Sequence, residues 1–478
     1  MRILIIYAQT VFWSMGEGCG ATSFTMLPSR LAGRGHEVRV SLPNAERPEA
    51  AAGATGAAGT AGAAGTTEST EATGATRTNG SSAPEHEAPR RGRQTLPPAE
   101  PYRGFLLHRH RASRSYVPNA NVPLPARLAG RLECWLRFRR EGYRAAAALA
   151  AAYPPDLVIG MGYYEAPVAR RLARRLGVPN VTRLFGTGLS LAEGSPLRFY
   201  ANFPEVAALK TPADLIITSD DGAEADRVAR RLRVPPERFL HLRNGLDFDR
   251  FAPGPAPEGW RARLGLPPGR HVLLTGTRLA AEKKLERAIL LLADVVRRGE
   301  DAALVLLGSG PERERLAAAA TAAGVADRIL FPGPVPQTGM ADWYRLADVV
   351  LSLLDRTNAS NPVFEGMACG RPVFALDAGS TAEVVRHGET GVVVPRSELP
   401  RAGEELVRLL RDEERRQRLG AAGARRIREL LPTLEERWNY EAELLEAVAQ
   451  HRPFARQGAG SGRPWGDGVA PAVEGPSA

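Results

Sequence analysis

Residues 361–394, NPVFEGMACGRPVFALDAGSTAEVVRHGETGVVV, constrain the fold more than any other stretch. The Asn361-Pro362 step opens a short helix that carries Glu365, and Gly370-Arg371-Pro372 closes it. An apolar run at 372–376 then reads as a buried strand, followed by a Gly-containing turn, Glu383 and a second apolar run at 391–394. Helix, buried strand, turn and buried strand are the parts of a parallel sheet covered by helices. A helix start set against the carboxyl edge of such a sheet attracts phosphate. A carboxylate one turn inside that helix can accept hydrogen bonds from ribose hydroxyls. The segment points to a nucleotide-sugar site.

The same alternation runs through the chain twice. Residues 2–7 read as a strand, the loop 14–21 carries Gly16, Gly18 and Gly20, and a helix near 22–34 leads to a strand at 37–42. Further strands are expected at 156–160, at 178–185 (ending in Gly186-Thr187-Gly188) and at 215–218. After Arg243-Asn244-Gly245-Leu246-Asp247, with Pro253 and Pro255 beyond it, a second series begins: 271–275, 303–307, 329–331 and 349–353. A chain of 478 residues exceeds what one core usually supports. The expectation is α/β: two Rossmann-like doubly wound domains, 1–245 and 246–432, facing a central cleft. A helix over 433–451 crosses back to the first domain, and the Gly/Pro-rich tail 452–478 is expected to be loose. The segment 45–100 is Ala, Gly, Thr, Ser and Pro with almost no large apolar side chain, so it is expected to be disordered.

The net charge of +10 raises nucleic acid or an anionic membrane as partners. Nearly all of the positive charge is Arg, spread along helices beside Ala, Leu and Glu, and no nucleic-acid-binding motif accompanies it. Nucleic acid is therefore excluded. The expected helix 125–153 combines arginines with Trp135, Phe138 and Tyr143, which allows a peripheral membrane contact beside ordinary packing. No run of eighteen apolar residues exists, and Cys19, Cys134 and Cys369 lack metal-ligand spacing. A cytoplasmic protein, free or at the inner face of the membrane, is expected. Lysines occur at three positions only, Lys210, Lys283 and Lys284, so an adjacent pair in a loop after a strand calls for a specific role.

That loop is Gly276-Thr277-Arg278-Leu279-Ala280-Ala281-Glu282-Lys283. Gly276 permits close backbone approach to a ligand, and Arg278 and Lys283 can place two cations on a departing diphosphate. Charge grows on the leaving group as a glycosidic bond breaks, so each cation favours the transition state, by roughly 2–4 kcal/mol. With Glu365 downstream, the chain resembles the retaining glycosyltransferases of family 4, which have the GT-B fold. Arg278 and Lys283 match that family's phosphate-binding pair, 331–336 matches its nucleobase loop near Val335, and 365–373 matches its Glu-containing helix. Asn244 to Phe251 matches its interdomain linker, and Gly35-His36-Glu37-Val38 and 155–158 match its first domain. The resemblance covers nearly all of the chain except about 45–115 and the tail. It implies metal-independent, retaining transfer from a nucleoside-diphosphate sugar to a glycan, lipid-linked or small-molecule acceptor. The donor is a co-substrate and no cofactor is expected. The diphosphate would sit on Gly276, Arg278, Lys283 and the helix start at Asn361, Pro362 and Val363. Glu365 would hold the ribose, Val335 would frame the base, and the loop with Gly16, Gly18 and Gly20 would close over the sugar.

Three departures stand out. The family's paired glutamates are separated by seven residues, and Thr357 occupies the first place, leaving Asp355, Asn358 or Asn361 as substitutes on the sugar. Phe185 stands where many members have His before Gly186, with Arg183 the closest polar group for the acceptor side. Lys284 replaces a usual Gly. These departures keep two alternatives open: a catalytically silent nucleotide-sugar-binding protein, or a GT-B sugar epimerase or phosphorylase. Asp247 and Asp249 have the spacing of a metal-binding pair, but they lie in the linker, and no metal site is expected.

Overall fold

The computed structural model describes residues 1–8, 23–44, 99–111, 124–192, 194–220, 224–356 and 359–453. The expectations for Gly16, Gly18, Gly20, Thr357 and Asn358, for the insert up to residue 98 and for the tail from 454 lie outside the described residues.

The first sheet contains β1 (Arg2–Ile6), β2 (Glu37–Asn44), β3 (Ala99–Tyr102), β4 (Phe105–Arg111), β5 (Leu157–Met161), β6 (Asn180–Leu184), β7 (Leu215–Asp220) and β8 (Phe239–Arg243). Its order is β3-β4-β2-β1-β5-β6-β7-β8, parallel except for the β3–β4 hairpin. Two strands depart from expectation. β8 was not foreseen, and β3 begins at Ala99, at the end of the segment read as disordered.

The second sheet contains β9 (His271–Gly276), β10 (Ala302–Leu307), β11 (Ile329–Gly333), β12 (Val349–Ser352), β13 (Val373–Leu376) and β14 (Gly391–Val394). It is parallel throughout, in the order β11-β10-β9-β12-β13-β14, which is the 3-2-1-4-5-6 pattern of a Rossmann sheet. Helices cover both faces, so neighbouring residues of one strand feed opposite cores. Leu273 packs in one cluster and Val272 and Leu274 in the other.

The helix Leu434–Ala449 returns to the first sheet and buries Trp438, Tyr440 and Leu444 in the same cluster as Ile3 and Ile5. Its start carries a capping box between Thr433 and Glu436. Where it crosses the linker the backbones touch: a side chain at Gly245 would stand 2.6 Å from the Thr433 carbonyl. The helix is also tied to β6 by a buried ion triad. Arg183 Nε donates to Glu441 Oε1 at 2.6 Å, and Arg437 Nη2 lies 2.7 Å from Glu441 Oε2. Burial pushes the Glu441 carboxyl up, but the two guanidinium groups outweigh it and hold the group below its usual range.

Candidate active site

In a doubly wound sheet the strand order reverses at one point, and the crevice beyond the strand ends there is where ligands bind. In the second sheet that point lies between β9 and β12. A cleft occupies it, lined by Thr275, Gly276 and Thr277 from the end of β9 and by Ser352, Leu353 and Leu354 from the end of β12. Lys283, Lys284, Ser360 and Pro362 complete it. Lys284 adopts φ 51°, a left-handed conformation better suited to the Gly expected there.

The helix Asn361–Ala368 starts at this cleft. Pro362 has no N–H, and the amides of Val363 and Phe364 both donate to the Ser360 carbonyl, at 2.9 and 3.0 Å. The helix end thus commits its next two amides to its own cap. Val363 is fully buried in the core, so its expected donor contact is not what the geometry provides. Asn361 is exposed, with its Oδ1 3.5 Å from Asn244 Nδ2 of the linker.

Glu365 lies one turn further in and is buried. Tyr344 OH donates to its Oε2 at 2.8 Å and Gln337 Nε2 to its Oε1 at 3.0 Å. The same Tyr344 hydroxyl would lie 3.3 Å from a side chain at Gly276, so Glu365 stands directly behind the end of β9. Burial pushes its carboxyl up to about 7, against the pull of the Tyr344 and Gln337 hydrogen bonds and the Arg250 charge. Gln337 follows the loop bearing half-buried Val335, so one hydrogen bond joins the expected base loop to the expected ribose acid.

Gly276, Lys283 and Pro362 therefore meet, with Glu365 adjoining through Tyr344. Arg278 does not join them. Its side chain is 76% exposed and pairs with Glu282 at 2.9 Å, outside the cleft lining. Asp355, a substitute for the missing first glutamate, is engaged by Arg287 at 2.7 Å and by Arg396. Asp247 is committed to Arg250, through the backbone N–H at 3.1 Å and the guanidinium at 3.3 Å.

Residues 258–426 match the family model described as glycosyl transferases group 1. A D-inositol 3-phosphate glycosyltransferase of Streptomyces bingchenggensis is 31% identical over 347 residues, covering 69% of this chain and 73% of the relative. The chain belongs to the group 1 glycosyltransferases. A second relative is the GDP-mannose-dependent alpha-(1-6)-phosphatidylinositol monomannoside mannosyltransferase of Mycobacterium tuberculosis, 33% identical over 216 residues, 43% of this chain and 54% of that one. In fold, the chain matches sucrose-phosphate synthase from Thermosynechococcus elongatus with a TM-score of 0.68 at 18% identity, covering 94% and 99% of the two chains. Anabaena Alr3699/HepE in complex with UDP-glucose matches with a TM-score of 0.61 at 16% identity, covering 94% and 100%. The fold is GT-B. Because the relatives are named as transferases, sugar transfer is favoured over the epimerase, phosphorylase and silent-binding readings.

On the other side of this glycosyltransferase, Arg183 is 1% exposed and belongs to the buried triad, not to an acceptor surface. Its guanidinium lies 5.0 Å from the half-buried Phe185 ring. Gly186, at φ 106°, turns the chain, and its carbonyl accepts from Tyr163 OH at 2.8 Å. Two carboxylates here were missed. Glu205 Oε2 accepts from Thr187 Oγ1 at 3.0 Å and from the Gly188 amide at 2.8 Å. Glu165 sits at the first sheet's own reversal, between β1 and β5, where Oε1 accepts the Ala8 amide at 2.6 Å. Burial pushes it up to about 8. Gly162 makes the room, since a side chain there would meet Glu165 Oε2 at 2.5 Å. An acid opening the first turn after a strand, with Gly three residues before it, was the available signal.

Proposed function

We propose that the chain is a retaining transferase of the family 4 type, moving a sugar from a nucleoside-diphosphate sugar without a metal. The observation that carries this reading is the cleft at the β9–β12 reversal, which Lys283 and Lys284 line together with Gly276 and with Ser360 and Pro362 at the start of the Glu365 helix. A lysine at that place supplies the positive charge that a metal supplies to a diphosphate elsewhere. Glu365 takes the ribose and the Val335 loop the base. For retention, the leaving phosphate accepts the acceptor proton, so no protein nucleophile is required. That Asp355 is already paired to two arginines is consistent with such a route.

The relatives' names mention inositol 3-phosphate and phosphatidylinositol monomannoside, which favours a polyol phosphate or a lipid-linked glycan as acceptor. No helix of the described residues is long and apolar enough to cross a membrane. A peripheral contact fits the lipid-linked case. Leu132 and Leu136 are exposed near Arg139 and Arg140, and Leu197 and Tyr200 are exposed on the helix Pro196–Ala201, whose end Arg131 binds. Co-sedimentation with anionic but not zwitterionic vesicles would support that contact, and equal recovery from both would remove it.

The deciding experiment is a thermal-shift screen of UDP-, GDP-, ADP- and TDP-sugars with and without chelator. Transfer from the stabilising donor, with the product anomer read by NMR, then follows. One nucleotide series should stabilise the protein equally in chelator. Chelator-sensitive turnover would sink metal independence, and an inverted product would sink retention.

A further inference from the structure

We infer that Arg356 is a positioning residue for sugar transfer, latching the acceptor-side loop 185–189 to the segment that leads into the donor cleft. The inference rests on the reading above of which side holds the donor. Arg356 follows β12 on a segment fixed to its own domain: Arg287 Nη1 donates to the Leu353 carbonyl at 2.9 Å, and Asp355 pairs with Arg287 and Arg396. Ser360 and Pro362, four and six residues further along the sequence, line the cleft with Lys283. From the segment after β12, Arg356 Nη2 reaches across and donates to the Thr187 carbonyl of the other domain.

The receiving loop is built to present that carbonyl. Gly186 makes the turn, Tyr163 holds the Gly186 carbonyl, and Glu205 draws the Thr187 hydroxyl and the Gly188 amide inward. Glu205 is half-buried, and the charges facing its carboxylate are Arg356 from the second domain and Arg131 from the first. Arg131 is itself tied to the Ala201 carbonyl at 3.0 Å and to Asn202 Oδ1 at 2.8 Å. Arg356 is thus the member of this cluster that crosses between domains. A guanidinium suits the task because its planar fork donates in several directions and never loses its charge. Transfer requires the donor carbon and the acceptor oxygen at near-contact distance, and a misplacement of about 1 Å can cost about a hundredfold in rate. A bond between the donor-side segment and the acceptor-side loop controls that distance without touching either substrate.

The test compares Arg356→Ala, Arg356→Lys, Glu205→Gln and the Arg356→Ala/Glu205→Gln pair in the full chain. Calorimetric affinity for UDP and GDP should stay within about twofold, while transfer kcat falls about 10- to 100-fold, the loss of one charge-assisted hydrogen bond. Arg356→Lys should recover part of the rate, and the paired variant should lose less than the product of the single losses. Fluorescence transfer between dyes on the two domains should report a wider separation for Arg356→Ala. The latch is refuted if nucleotide affinity falls together with kcat, which would make Arg356 a donor ligand, if the losses multiply independently, or if the interdomain distance is unchanged. Should the parent protein transfer from no donor, the functional reading fails, and the dye distance still decides the latch.

Discussion

Replacing Glu365 with Gln is expected to make the folded protein more stable above neutral pH while weakening its hold on nucleotide. The carboxyl is buried, and burial pushes it from 4.5 up to about 7. Between those values the folded chain keeps a proton that the unfolded chain has released. Unfolding free energy therefore falls as pH rises through that window and levels off above it. A displacement of this size corresponds to about 3 kcal/mol at full ionisation. The amide fits the same space. Its oxygen accepts from Gln337, and its NH2 donates to Tyr344, whose hydroxyl can reverse its role from donor to acceptor. Urea unfolding of parent and variant from pH 5 to 8.5 should show their difference growing by about 2–3 kcal/mol in favour of Glu365→Gln. At pH 8.5 nucleotide affinity of the variant should be roughly tenfold or more below the parent, because the ribose hydroxyls lose a charged acceptor, and the gap should narrow toward pH 5. Parent affinity should itself rise as pH passes about 7, where Glu365 ionises. A stability difference that does not change with pH, or a variant less stable at pH 8.5, would refute the reasoning.

Lys283→Ala should lower transfer by roughly 30- to 1000-fold with an unchanged urea midpoint, the order expected on losing one preorganised charge at a leaving group; a normal rate would remove Lys283 from that role. Glu441→Gln leaves two buried guanidinium groups without a counter-charge, so denaturant unfolding should show a loss of about 3–5 kcal/mol. Replacing all three members together (Arg183→Met, Arg437→Met, Glu441→Leu) should cost far less, and an equal cost would mean that the triad matters through shape and not charge.

The parts of this enzyme legible in its sequence are those where one residue's neighbours lie close along the chain. Residues 302–307, AALVLL, announce a strand because both faces of a parallel strand are buried. β8, FLHLR, does not: it lies at the sheet edge, and His241 bonds Thr218 Oγ1 at 2.8 Å. β3, AEPY, is another edge strand, where Pro is tolerated because one side of the ladder is unpaired. The cleft was readable for the same local reason, since Gly276, Lys283 and Pro362 all sit at fixed offsets from the ends of parallel strands. Arg278 lies on the same loop, yet an acid four residues further along it claims its guanidinium, a neighbour that the local sequence also contained. Arg183 and Arg356 were beyond such reading. Their partners, Glu441 and Thr187, come from remote parts of the chain, and a charged side chain carries no mark of which remote group the fold will bring to it. One of these two guanidinium groups is sealed inside a core and the other spans two domains. Cross-domain partners, more than motif identity, therefore separate the chemistry of this site from its scaffold.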